Sequence, residues 1–232
     1  MSGSISSERR RRQQMLDFIL TLPEAFWSEV ASRIRAVYDD SFAELDADPS
    51  VSVPQKGDAL LQRRFFRCEN ILNEVGQRFG VSSTFEPLAQ NNRHIAYVSN
   101  EKVGVTQAYV PPDAGRCAER GYRTRKAKVN KMWESVVQSL FEEENKVREP
   151  KALYGIIAHS PFGRAFEAPH QRLGSIELVV PRENMESVES FSFEEISAEY
   201  RHRAEEQAQR QPTPKRAPTW KENEDKKDSP KK

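Results

Sequence analysis

The apolar residues change their period at Gly80, and that change limits what the chain can fold into. Before it, Met15, Phe18, Ile19 and Leu22 recur at i, i+3, i+4 and i+7, and Phe26, Trp27, Val30, Ile34, Val37, Tyr38 and Leu45 continue the same spacing. Such spacing gathers apolar side chains on one face of a helix. After it, 81–87, 93–99 and 103–110 alternate as half-buried strands do, with Asn91-Asn92 and Asn100-Glu101 as turns that tolerate positive φ.

Element boundaries follow from caps and breakers. Ser6 or Ser7 can cap a first helix running to about Leu22, which puts Arg9 to Arg12 in its first turns, where the helix dipole disfavours cations. Pro23 suits the first turn of a second helix, and 46–54 reads as a connecting loop. A third helix over 58–79 turns Leu61, Phe65, Leu72, Val75 and Phe79 inward and Arg63, Arg64 and Arg67 outward, and Gly80 stops it. A fourth, over 126–144, offers Val129, Met132, Trp133, Val136, Val137, Leu140 and Phe141 as its apolar face. Strands resume over 153–159 and 173–180, and a last helix over 192–209 carries Phe193, Ile196 and Tyr200 on one side.

The order predicts an α+β fold: a mostly antiparallel, five-stranded sheet made of a three-stranded meander, a helix and two further strands, covered by helices. The expected organisation is an N-terminal helical hairpin and linker (1–56), an α+β domain (57–209) and a disordered basic, proline-containing tail (210–232). Cys68 and Cys117 are too few for a secreted disulfide framework and predict free thiols in a reducing compartment. No apolar run reaches the ~20 residues that span a bilayer, and the arginine-rich start lacks a signal-peptide pattern. The expectation is a soluble, cytoplasmic protein with no membrane partner.

With 36 Lys and Arg against 35 Asp and Glu, the net charge of +1 names no partner, so information lies in how charge is segregated. Arg116, Arg120, Arg123, Arg125, Lys126, Lys128 and Lys131 set seven positives against Glu119 alone, with Tyr122 among them. Lysine and arginine release counterions on neutralising phosphates, and a tyrosine can stack on an unpaired base. These eight residues are the candidate nucleic-acid site, with Arg9, Arg10, Arg11 and Arg12 as an auxiliary arm. DNA or RNA is the expected partner. An acidic protein, or pairing with the chain's own acids at 142–144 and 183–199, is the alternative. A different class of function is a protein-interaction adaptor, or self-associating module, built on the N-terminal helices.

The predicted order from the third helix to the fourth strand resembles the core order of the restriction-endonuclease-like nuclease fold. That resemblance implies an acid on the second core strand and an acid-x-lysine pair on the third, which bind Mg²⁺ and activate water. Here the second strand, His94 to Ser99, has no carboxylate, and the third offers Thr106 and Gln107 but neither acid nor lysine. His159, His170 and Glu177 are the one set that could converge on a metal, and a degenerate or unconventional metal-dependent hydrolase using them is the third, least favoured alternative. No Walker loop, G-x-S-x-G or C-x-x-C is present. No catalysis, cofactor or metal is therefore expected.

Overall fold

A computed structural model describes residues 2–88, 93–135 and 150–210. Three helices lead: α1 (Ser2–Ile19), α2 (Glu24–Asp46) and α3 (Val53–Arg78). Strands β1 (Ser82–Pro87), β2 (His94–Ser99) and β3 (Val103–Tyr109) follow. A broken helical passage comes next: α4 (Gly121–Ala127), a 3₁₀ turn (Lys128–Asn130) and α5 (Lys131–Ser135). Strand β4 (Leu153–Pro161), a single helical turn α6 (Ala168–Gln171), β5 (Leu173–Pro181), β6 (Ser187–Ser192) and α7 (Phe193–Arg210) complete the order. The expected 126–144 helix thus starts earlier and is broken, and its part over 136–144 lies outside the described residues, as do the Asn91-Asn92 turn and the tail from 211.

The fold is α+β, with six strands rather than five, in the order β1-β2-β3-β4-β5-β6. The added strand, β6, pairs antiparallel with β5, Leu178 opposite Phe191. The sheet is mixed: β3 and β4 run parallel, Val105 opposite Gly155, while the other four pairings are antiparallel. A parallel pair needs a long crossover, and residues 110–152 supply it.

Alternation along the strands divides the core. Val103, Val105, Leu153, Ile157, Leu178 and Val180 face one side with Met15, Ile19, Phe26, Trp27, Ile34, Leu72, Val75 and Ile196. Ala108, Tyr154, Ile156, Ala158 and Val179 face the other with Cys117, Ala127 and Met185. The stripes of α1 and α2 therefore share one core with the sheet. An edge-to-face contact ties α2 to α7, with the Trp27 and Phe193 ring centroids 5.7 Å apart. Both thiols are free and buried, one in each layer, and burial pushes Cys68 up to about 12 and raises Cys117. Among the described residues no helix is long and apolar enough to cross a membrane.

The end of α3 shows how the chain turns into the sheet. Gly80, at φ +67°, donates to Gln77 O, and Val81 N donates to Gly76 O, two bonds that close the last turn. One turn earlier, Gly76 lets the helix lie directly on β1 and β2: a Cβ there would stand 2.9 Å from Ser83 Cβ and Val98 Cγ2. The helix is rotated relative to the expected face. Leu60, Arg64, Cys68, Ile71, Leu72 and Val75 point inward, and Leu61 is exposed. Arg64, expected on the outer side, is 1% exposed. A guanidinium can be buried where enough oxygens receive it, and Gln171 Oε1, Gln171 O and Tyr38 O do so at 2.8, 2.5 and 3.1 Å.

Candidate nucleic-acid interface

The basic segment crosses the sheet face opposite α3 and is held from below. Tyr122 and Arg123, at 8% and 6% exposure, turn into the protein rather than outward. Arg123 donates to Ala118 O at 3.1 Å and to Gln107 O on β3 at 3.2 Å, and its guanidinium lies 5.2 Å from the Tyr122 ring. Neither side chain is presented to a ligand: Arg123 ties the segment to the sheet, and Tyr122 is shut away from any base. Asn130, on the 3₁₀ turn, adds a second anchor. Its amide nitrogen donates to Tyr154 O and Pro181 O, each at 2.8 Å, and its oxygen accepts from Tyr154 N.

The remaining cations lie above these anchors. Lys126 is half-buried, bonded to Glu86 on β1 at 2.8 Å with its ammonium 3.3 Å from the centre of the Tyr97 ring. Lys128 is exposed and stands 3.7 Å from Glu183, which belongs to one of the acidic stretches expected to compete for it. Glu142 to Glu144 lie outside the described residues. Arg116, Arg120, Arg125 and Lys131 are exposed. Arg116, Arg120 and Arg125 stand in no ion pair among the described residues. Lys128 and Lys131 also line a shallow depression of about 240 Å³ whose opposite wall is Arg182, Glu183 and Asn184, on the turn between β5 and β6. Arg182 was not legible as part of the site, because only sheet pairing brings it beside the basic segment.

The N-terminal arginines divide. Since α1 starts at Ser2, they lie past its first turn, where the dipole no longer acts on them strongly. Arg12 forks onto Glu195, pairs with Glu189 and lies 4.4 Å over the Phe191 ring. Arg9 and Arg10 are exposed, and Arg11 is half-buried.

Beneath the basic segment, between α2, α3 and the sheet, runs a buried chain of polar groups. Gln107 Nε2 donates to Glu69 Oε1 at 2.6 Å, and Ala96 N donates to Glu69 Oε2 at 2.5 Å. The Gln107 oxygen must then accept from His159 Nε2, 2.8 Å away, which leaves His159 Nδ1 to accept from the Tyr38 hydroxyl at 2.7 Å. The chain fixes the histidine tautomer. Burial, with help from Arg64 and Arg123, lowers His159 to about 3, so it is neutral at pH 7. Burial raises Glu69 to about 7, against the pull of its two donors and Arg123.

His159, His170 and Glu177 do not converge. His159 faces α2, and alternation places Glu177 on the opposite face with Val179. His170 is exposed, 3.7 Å from Glu167. Among the described residues no group of three or more His, Cys, Asp or Glu is placed to hold a metal ion. Searches against family models, curated proteins and solved structures return no match to this chain.

Proposed function

We propose that the chain is a non-catalytic, nucleic-acid-associated protein that holds phosphates on the exposed cations of its basic segment. The observation that carries this reading is the contrast within the segment. Tyr122, Arg123 and Lys126 are spent on holding it, while Arg116, Arg120 and Arg125 extend into solvent with no carboxylate partner among the described residues. An arginine without an internal acid keeps its full counterion-releasing capacity, and a rigid base reduces the ordering cost of binding. Lys128, Lys131 and Arg182 extend the surface around the depression.

The test is fluorescence anisotropy of a labelled duplex with the full chain across a salt series. The wild type should show a log–log slope of about −3 or steeper, and replacing Arg116, Arg120 and Arg125 by glutamine should remove about −0.9 of slope per lost phosphate contact. An unchanged slope in that triple variant would sink the reading. Arg123 is left out because it is structural.

A second reading, a non-catalytic relative of the nuclease fold, is favoured by the strand order: α3, three antiparallel strands, the helical crossover, then β4 parallel to β3. At α3-facing positions of β2 and β3 stand Ala96, Gln107 and Tyr109, and among the described residues Glu69 is the carboxylate hydrogen-bonded to the first two. One buried carboxylate already satisfied by two donors is a poor Mg²⁺ site. The duplex in the titration is accordingly expected to stay intact when Mg²⁺ is added.

A further inference from the structure

The burial of Tyr122 removes the expected stacking residue, but two other aromatic rings are exposed. Phe66 is 49% exposed and Phe85, on the edge strand β1, is 41% exposed. The two belong to one patch. β1 runs antiparallel to α3, with Ser83 Oγ bonded to Asn73 Oδ1 at 2.8 Å. Two residues along a strand advance about 6.6 Å and one helical turn about 5.4 Å. Phe85, on the α3-facing side like Ser83, is therefore level with the turn holding Glu69 and Asn70, and Phe66 lies on the next. Arg93, where β2 begins, places its guanidinium 5.7 Å from the Phe65 ring centre and 6.0 Å from that of Phe66.

The charge around this patch suits an anion with flat apolar faces. Between residues 59 and 73, α3 carries a single carboxylate, Glu69, which is buried and turned onto the sheet. The nearest acid on β1, Glu86, projects to the other face and is held by Lys126 of the basic segment. One edge strand thus separates the aromatic patch from the cations.

We propose that Phe66 and Phe85 form a stacking platform for unpaired bases of a single-stranded nucleic acid, whose backbone continues round the β1 edge to Arg125, Arg120 and Arg116. This rests on the polyanion reading above and names its substrate class. Exposed aromatic rings beside arginines accept bases of any sequence, because every base has a π face.

The experiment compares a labelled oligothymidine, a duplex of equal length and inorganic polyphosphate on the full chain, the Phe66→Ala/Phe85→Ala variant and the Phe66→Tyr/Phe85→Tyr variant. The alanine pair should lose roughly tenfold or more in affinity for oligothymidine, leave polyphosphate binding unchanged and melt as the wild type does. The tyrosine pair should keep binding. If the alanine pair binds oligothymidine as the wild type does, while the triple arginine variant does not, stacking on this patch is refuted and the polyanion reading stands. If the wild type binds none of the three probes, both fall, and a change in sedimenting mass in the alanine pair would then mark the patch as a protein contact.

Discussion

His159 and Glu69 are two buried groups of one hydrogen-bonded chain, and they bind protons in opposite order relative to the unfolded state. Glu69 rises from 4.5 to about 7, so its contribution is fully present below 4.5 and lost as pH rises through 7. His159 falls from 6.5 to about 3, so its contribution is fully present above 6.5 and lost as pH falls towards 3. Each is of order 3–5 kcal/mol. Between about pH 4.5 and 6.5 the folded chain holds the glutamate's proton and the unfolded chain the histidine's, so the two slopes cancel. Urea midpoints of the wild type should change little across that window. Glu69→Gln should lose stability as pH falls, and His159→Gln should gain it. Parallel curves for the three proteins would break the linkage argument.

At the scale of elements, Arg12 fastens α1 to the β6–α7 corner through Glu189, Glu195 and the Phe191 ring. Because all three charges are partly solvated, the clamp is modest: Arg12→Ala should cost about 1 kcal/mol, and Arg10→Ala less than about 0.5, in chemical denaturation. Equal costs would show that the clamp does not hold the helix. The elements were legible wherever periodicity is strong, as in α2, in the three strands after Gly80, and in β4 and β5. β6 was not, because Ser187 to Ser192 alternates weakly and reads as part of an acidic stretch. The inward face of α3 was misread because an arginine counts as polar in any pattern, whereas Arg64 finds its oxygens on Gln171, over 100 residues away. The same limit applied to the candidate site. Seven cations stood out in the sequence, but only tertiary packing separates the exposed arginines from the buried Arg123 and Tyr122.

At the scale of the molecule, the leading helices supply much of the core under the sheet: Met15, Leu16, Ile19, Phe26, Trp27, Val30 and Ile34 pack with Val105, Ile157 and Leu178. Removing residues 1–50 would expose that face, at roughly 1.5–3 kcal/mol for each large side chain left without cover. The shortened chain should therefore give no cooperative melt by circular dichroism, where the full chain gives one. A cooperative melt of the fragment would instead mark 57–209 as an independent folding unit. The layering also gives the chain two internal clocks. Cys68 lies in the helix-covered layer and Cys117 under the basic segment, each with a thiol too buried and too weakly acidic to react in place. An alkylating reagent will therefore count openings rather than encounters. Cys117 times the lifting of the basic segment from the sheet, and Cys68 the parting of the helices on the far side.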